Sequence, residues 1–347
     1  MPQTAGRHVG AACHSARRAG VTGGEAGLSV QDLSVAYGRG TVRIVEAVSF
    51  SVAPGETLGL VGESGSGKTT IGRALLRLLP ADALLGGRVH YGGQDLSRLS
   101  GREMRAIRQH LQMIFQDPVS SFNPRRTVQD IVAEGLEIHG VPRAERAPRI
   151  ERAFAEVGLS LGQVSGRRAH QFSGGQCQRI AIARALAVEP QLIVCDEPVA
   201  SLDVSVQAHV MNLLREIQQR RALSLIFISH DLAVVRNISD RVAVLYLGRL
   251  VEIGPADVIF RSPAHPYTRM LLDAVPAPVP SGPVSLPPPR EATTETPIRA
   301  REVTGCAFRE RCGRAATLCA TIIPPLRGMP AGQQARCHFP IAPSSPA

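Results

Sequence analysis

Apolar and polar residues alternate in two stretches, residues 28–35 and 42–52, which predicts a pair of half-buried strands around a turn at Tyr37-Gly38-Arg39-Gly40. Largely apolar runs, which are typical of fully buried strands, follow at 57–61, 111–115, 192–195 and 225–228. A short strand at 88–91 and a hairpin at 242–247 and 249–253 complete the strand pattern.

Helical spacing of apolar residues separates these strands. It predicts helices over 68–79, from Ser100, within 127–161 and from Ser173 to about 187, and an apolar face formed by Val206, Val210, Leu213, Leu214 and Ile217. Strands and helices therefore intermingle along one chain, and the pattern indicates an α/β fold.

The pattern also predicts the domain organisation. Residues 1–27 lack periodicity and are expected to be a disordered leader, and the proline-rich residues 276–297 are expected to be a linker. Between them, 28–275 should form one domain with a helical insert at about 120–175, and 298–347 should form a small cysteine-rich extension.

A glycine-rich loop joins the apolar run at 57–61 to the next helix. It fits G-x-x-x-x-G-K-[ST], with Gly62, Gly67, Lys68 and Thr69 in the fixed positions. Backbone N–H groups and a helix N-terminus attract phosphate oxygens, a lysine at this position reaches the β- and γ-phosphates, and the hydroxyl binds Mg²⁺. The residues predicted to hold the nucleotide here are Gly62, Ser64, Gly65, Gly67, Lys68, Thr69 and Thr70.

Two carboxylates, Asp196 and Glu197, end the apolar run at 192–195. A carboxylate at the end of a buried strand can hold Mg²⁺, and its neighbour can activate a water molecule. The same pattern occurs as an ordinary strand end, but its place downstream of the phosphate loop favours catalysis, with Asp196 as a metal ligand and Glu197 as the base.

A second phosphate-binding element is predicted at Ser173, Gly174, Gly175 and Gln176, where a serine and two glycines open a helix. The alternative is a glycine turn that only caps the helix. With these motifs in order, the chain resembles the ATP-binding cassette (ABC) ATPases, which implies a P-loop core with a mixed sheet, an antiparallel β subdomain and a helical subdomain.

The resemblance implies roles for further residues. In that family the Ser173–Gln176 signature binds the γ-phosphate of a nucleotide held by a second cassette, so that two cassettes enclose two ATP molecules. Tyr37 matches an aromatic residue that stacks on adenine, and Asp203 matches the acidic residue of a loop that crosses between cassettes. Gln116 matches a residue that senses Mg²⁺ and contacts the membrane partner, and His230 matches a histidine that contacts the γ-phosphate. Phe172 and Cys177 depart from the common residues beside the signature, but neither replaces a phosphate donor.

Finer motifs are similar to those of oligopeptide and dipeptide importers, some of which take nickel, and more to their F-type ATPase subunit. They are Phe115–Pro124, Glu197–Gln207 and His265-Pro-Tyr-Thr268. This resemblance covers roughly residues 28 to 340 and implies an ATPase that drives peptide uptake. The implied partners are a second, related ATPase subunit, two membrane permease subunits and an extracytoplasmic peptide-binding protein, with the chain peripheral on the cytoplasmic face of the inner membrane.

Four cysteines, Cys306, Cys312, Cys319 and Cys337, follow the linker with the spacing C-x5-C-x6-C-x17-C. Four thiolates in a segment too small for its own core suggest a metal site, although the spacing fits neither a zinc ribbon nor a bacterial ferredoxin. The importer resemblance implies a [4Fe-4S] cluster. Zinc and plain reduced thiols remain alternatives.

The net charge bears on which kinds of partner the protein could bind. The formal charge is +10, from 39 basic and 29 acidic residues, which is compatible with nucleic acid, an anionic surface or a solvated basic face. A soluble ABC ATPase that acts on nucleic acid or ribosomes is therefore an alternative. A single cassette without a long coiled-coil insert argues against it, and no nucleic-acid partner is expected.

Overall fold

The computed structural model describes residues 27–38, 40–274 and 304–342. The predicted leader (except Gly27), the linker and the ends of the predicted extension lie outside the described residues. Among the described residues, no helix combines the length and the apolar character that crossing a bilayer requires.

The strands and helices alternate as the pattern predicts. The strands are β1 Leu28–Tyr37, β2 Val42–Val52, β3 Thr57–Val61, β4 Leu84–Tyr91, β5 Gln94–Asp95, β6 Leu111–Ile114, β7 Leu192–Asp196, β8 Ser224–Ile228, β9 Arg241–Tyr246, β10 Arg249–Pro255, β11 Arg327–Gly328 and β12 Gln334–Ala335. The helices are α1 Lys68–Leu75, α2 Gly101–His110, α3 Val128–Ile138, α4 Arg143–Glu156, α5 Leu161–Val164, α6 Gly174–Ala187, α7 Val204–Arg221, α8 Leu232–Ile238, α9 Ala256–Arg261, α10 Pro266–Asp273 and α11 Thr317–Thr321.

These strands form two sheets. The smaller is antiparallel, in the order β2-β1-β4-β5, and matches the predicted β subdomain. The larger has the order β11-β12-β10-β9-β3-β8-β7-β6, and its strands from β9 to β6 are parallel while β10, β12 and β11 pair antiparallel. The predicted α/β fold with a mixed core sheet is confirmed.

The helical insert lies between β6 and α6. Val128, Ile131, Val132 and Leu136 form the buried face of α3, and both α3 and α4 pack against α6. The sequence predicts one mainly helical stretch over 127–161, whereas the structure breaks it after Ile138. Gly140 has a φ of +70°, a left-handed conformation that ends a helix at little steric cost.

Helix α1 is shorter than predicted, because it ends at Leu75 and not at Leu79. Arg77 has a φ of +52°, and the N–H groups of Arg77 and Leu78 donate to the carbonyls of Ala74 and Arg73. This is a Schellman ending with arginine at the left-handed position usually taken by glycine. The apolar spacing of the following leucines continues past the true end of the helix and gives no sign of it.

The cysteine-rich extension is joined to the large sheet. Strand β12 pairs with β10, with Ala335 opposite Glu252. Phe308 is 2% exposed and lies against the rings of Tyr246 and Tyr267, with centroid separations of 5.2 and 5.4 Å. The extension therefore shares its apolar contacts with the sheet that carries the phosphate loop.

A buried histidine lies where the extension meets the sheet. The His265 side chain accepts from the N–H of Tyr267 and thereby caps α10, while the backbone N–H of His265 donates to the buried Glu252 carboxylate. Burial lowers the pKa of His265 to about 4 because the charged ring would lose its hydration. Its ring faces the Arg336 backbone, and the Arg249 side chain lines the same small cavity.

We predict that His265 makes the fold acid-sensitive. An unfolded histidine has a pKa of about 6.5, so the unfolded chain takes up a proton first, and stability is lost as the pH falls from about 6.5 toward 4. Between pH 7 and pH 5 the loss from this group is about 2 kcal/mol. Urea unfolding at both pH values should show this extra loss in the wild type and not in His265→Asn, which keeps a capping oxygen. Glu252 also titrates, but it is present in both the wild type and the variant. An equal pH dependence of the unfolding free energy in these two proteins would contradict the prediction.

Candidate functional site

The site lies where four neighbouring parallel strands end. In the sheet these strands stand in the order β3-β8-β7-β6, and each is followed within two residues by a residue singled out from the sequence. Gly62 follows β3, His230 follows β8, Glu197 follows β7 and Gln116 follows β6. Because the strands are parallel, their carboxyl ends meet at one edge, where open α/β sheets bind ligands.

The glycine-rich loop is shaped by its backbone. Gly62 has a φ of +152°, and a Cβ there would lie 2.2 Å from the carbonyl oxygen of Leu245, so only glycine fits. Gly67 occupies the N-cap of α1 with a φ of +97° and has no side chain to cover the first N–H groups of the helix. Those N–H groups and the helix dipole make this end of α1 a site for an anion.

Lys68 lies inside the loop. Its Nζ donates to the carbonyls of Gly62 and Glu63, at 2.8 and 2.9 Å, and approaches the Ser66 hydroxyl at 3.5 Å. Burial lowers the pKa of Lys68, and the carboxylates of Glu197, Asp196 and Glu63 oppose that shift. The loop thus holds one buried cation at the position where the sequence predicts the β- and γ-phosphates.

Two oxygen-bearing side chains lie side by side next to Lys68. The Thr69 hydroxyl donates to Asp196 Oδ1 at 2.8 Å, and Asp196 is only 2% exposed. Burial raises the pKa of Asp196, while the hydrogen bond from Thr69 opposes the shift. A hydroxyl and a carboxylate are oxygen ligands of the kind Mg²⁺ takes beside nucleotide phosphates, so the pair fits the predicted metal position.

Glu197 is the meeting point of the predicted catalytic residues. Gln116 Nε2 donates to its Oε2 at 3.2 Å, and His230 Nδ1 lies 3.3 Å from its Oε1. Glu197 has a φ of +45°, an uncommon conformation for a residue other than glycine and one that often marks a functional site. Gln116 and Asp196 also line an open cleft of about 520 Å³, together with Arg73, Phe115 and Asp117.

Among the described residues, no hydrogen bond joins the signature to the phosphate loop. Ser173 caps α6 in a capping box with Gln176, and both Ser173 and Gly174 are exposed. A Cβ on Gly175 would lie 2.5 Å from the Val206 side chain, so the signature packs against the start of α7.

Asp203 begins α7 beside the signature. Its Oδ1 accepts from the N–H of Val206 and the hydroxyl of Ser205, and these bonds lower its pKa. Asp203 therefore has a local capping role, which the sequence alone did not indicate. Ser173 and Gly174 of the signature and the neighbouring Asp203 are all exposed.

The other predicted nucleotide contacts are peripheral to this centre. Tyr37 ends β1, is half-buried and packs against the core of the antiparallel sheet. Ser64 and Gly65 are exposed at the tip of the loop, and Thr70 is half-buried in the first turn of α1.

The four cysteines of the extension lie in one neighbourhood. The N–H of Cys306 donates to the carbonyl of Cys319 at 2.7 Å. Burial raises the pKa of Cys337 to about 11, and the three other thiols add to the shift. Even so, within the described parts of the chain no three or more His, Cys, Asp or Glu side chains form a group that could hold a metal ion. The side-chain positions therefore do not support the predicted cluster site.

Sequence analysis missed two charged residues of the site. Glu63 occupies a variable position of the loop motif, and Arg73 influences Asp196 from the later part of α1. Neither has a signal in the motif itself. Glu63 could have been found only from its contact with Arg311, which is 248 residues away in the chain.

Comparison with known proteins shows which families this chain resembles. Residues 45–200 match the ABC transporter family, and residues 251–319 match the C-terminal region of oligopeptide/dipeptide transporters. A protein of Brucella ovis named as a peptide import ATP-binding protein is 50% identical over 320 residues, which cover 89% of this chain and 96% of that protein.

Two further similarities extend the match. The oligopeptide transport ATP-binding protein OppF of Escherichia coli is 48% identical over 294 residues, which cover 83% of this chain and 85% of OppF. The structure of cbiO1 from Clostridium perfringens, part of the ABC transporter complex cbiONQ, has 27% identity and a TM-score of 0.60, and the match covers 68% of this chain and 91% of cbiO1. The chain thus belongs to the ABC transporter family, as an ATP-binding ATPase of the oligopeptide/dipeptide type.

Proposed function

We propose that this ATPase drives the import of peptides across the cytoplasmic membrane, as a peripheral subunit on its cytoplasmic face. The observation that carries the hydrolytic part of the proposal is the convergence of Gln116 and His230 on Glu197, next to Lys68 and Asp196. The names of the relatives and the match of residues 251–319 support peptides as the transported solute.

The proposed chemistry assigns one task to each residue. The N–H groups of the loop and Lys68 bind the nucleotide phosphates, and Tyr37 stacks on the adenine. Thr69, Gln116 and Asp196 would hold Mg²⁺, which neutralises phosphate charge when bound. Glu197 takes a proton from the attacking water, Gln116 orients the Glu197 carboxylate, and His230 contacts the γ-phosphate.

The proposed partners follow from the exposed surfaces. The signature and Asp203 would face a second, related ATPase subunit, whose nucleotide the signature would bind. The open cleft beside Gln116 would receive a membrane permease subunit, and two such subunits with an extracytoplasmic peptide-binding protein would complete the importer. The exposure of Ser173 and Gly174 supports the first of these contacts.

We also propose the domain division stated above, with residues 28–275 as the ATPase domain, 276–297 as the linker and 298–347 as the extension. The extension is proposed to hold a [4Fe-4S] cluster, with zinc as the alternative. Four thiols in one neighbourhood support a metal site, although they would have to close in to bind it. Iron, sulfide and zinc analysis of freshly purified protein tests this proposal separately from the ATPase activity.

Replacing Glu197 by glutamine should lower ATP turnover about 10²–10⁴-fold, the usual contribution of a general base, with ATP binding retained. Steady-state hydrolysis and nucleotide binding are the measurements. Glu216→Gln, which changes an exposed glutamate of α7, serves as the control and should be near wild type. Hydrolysis close to normal in Glu197→Gln would remove Glu197 from the catalytic role.

The signature is tested by comparing two helix caps. Ser173 and Thr127 both cap a helix in a capping box, so replacing either by alanine should cost about 1 kcal/mol of stability. Only Ser173→Ala should also lower hydrolysis by the assembled transporter, because only Ser173 would contact the nucleotide of the second subunit. An equal loss of activity in both variants would reduce the signature to a structural cap.

The transported solute is tested in the cells that make this protein. Deleting the chain should abolish uptake of a labelled tripeptide, and the wild-type chain should restore uptake whereas Lys68→Ala should not. Nickel uptake is measured in the same strains. Unchanged peptide uptake with reduced nickel uptake would overturn the proposal for peptides and leave the ATPase assignment intact.

A further inference from the structure

The phosphate loop and the cysteine-rich extension meet in a two-pronged ion pair. Arg311 Nη1 and Nη2 donate to the two carboxylate oxygens of Glu63, at 2.7 and 2.8 Å. Glu63 is the residue directly after the first glycine of the loop, and Arg311 lies in the turn between Cys306 and Cys312. The extension therefore contacts the loop at the level of the phosphate site.

Glu63 is held from three directions. Its carboxylate accepts from Arg311, its N–H donates to the Tyr267 hydroxyl at 3.0 Å, and its carbonyl accepts from Lys68 at 2.9 Å. The backbone at the start of the loop is thus fixed by α10, by the extension and by the lysine predicted to bind phosphate. A shift of Glu63 would move the carbonyl that positions Lys68.

Arg311 is itself held in place. Its N–H donates to the carbonyl of Phe308, and its guanidinium lies 5.8 Å from the Tyr246 ring and 5.9 Å from the Phe308 ring. Those two rings pack edge to face beneath it. The guanidinium therefore has aromatic rings on one side and the Glu63 carboxylate as its charged partner.

The strength of the pair follows from its geometry. Both side chains are about 40% exposed, and an ordinary surface pair at that exposure contributes little. Bidentate arginine–carboxylate pairs on an ordered support are the exception, because two parallel charge-assisted bonds fix the orientation as well.

The pair also changes the charge at the phosphate site. Glu63 is close enough to Lys68 to oppose the lowering of its pKa. Without Arg311, the Glu63 carboxylate would place an uncompensated negative charge beside the loop that binds phosphates, and like charges repel.

We propose that Arg311 is a positioning residue for ATP binding, through which the cysteine-rich extension fixes Glu63 and cancels its charge next to the phosphate loop. The inference rests on the proposed binding of nucleotide in that loop. This role would make the extension a part of the nucleotide site, whether or not the extension also binds a metal ion.

The test is the dissociation constant of MgATP, measured together with KM and kcat, in the full chain. Arg311→Ala should weaken MgATP binding about three- to tenfold. This range lies between the effect of losing an exposed ion pair and the effect of losing a buried hydrogen bond to a charged group. Arg311→Lys should fall between that variant and the wild type, since it keeps the charge and loses one of the two bonds. Arg314→Ala, which removes an exposed arginine from the same extension, should bind like the wild type.

A double variant separates positioning from folding. Glu63→Gln combined with Arg311→Ala should bind MgATP more tightly than Arg311→Ala alone, because the uncompensated carboxylate is gone. A merely structural effect of Arg311 would lower kcat through a smaller folded fraction, leave the dissociation constant unchanged and show no such rescue.

Two results would overturn the inference. One is binding in Arg311→Ala equal to that in Arg314→Ala, and the other is a double variant whose losses simply add. Failure of the proposed function is distinguishable, since the wild type itself would then not bind MgATP.

Discussion

The parallel pairing of β3, β8, β7 and β6 is the constraint on which the rest of this protein depends. Parallel strands carry their carboxyl ends to one edge, and in this chain the residue types that handle phosphate follow each of those ends. The phosphate loop, the Asp196–Glu197 pair, His230 and Gln116 come together for this reason alone, although up to 168 residues separate them in the chain (62 to 230).

Buried charge is the main electrostatic feature of the edge. Lys68 and Asp196 are both nearly enclosed, so each shifts the other toward its charged form while desolvation opposes it. Such a site suits a charged ligand. Glu197, in its uncommon backbone conformation, is held by two side chains that come from the ends of neighbouring strands.

The cysteine-rich extension borders the edge of the sheet at which the site lies. Its strand β12 extends the large sheet through β10, Phe308 completes an aromatic group with Tyr246 and Tyr267, and Arg311 contacts the phosphate loop. A small segment that cannot build its own core is stabilised by the core of the domain beside it. Its position is therefore coupled to the nucleotide site, whatever its cysteines bind.

The sequence by itself determined the features that depend on neighbours along the chain. Apolar runs located the buried strands, glycines and lysine in fixed order located the phosphate loop, a capping box located the start of α2, and a serine with two glycines located the start of α6. Only the tertiary structure decided the features that depend on distant residues. The end of α1 at Leu75, the joining of Gln116 and His230 to Glu197 and the pairing of Glu63 with Arg311 have no local signature. The physical reason is the same in each case. Strand register and packing determine which distant side chains meet, and the local periodicity of the sequence does not encode those contacts.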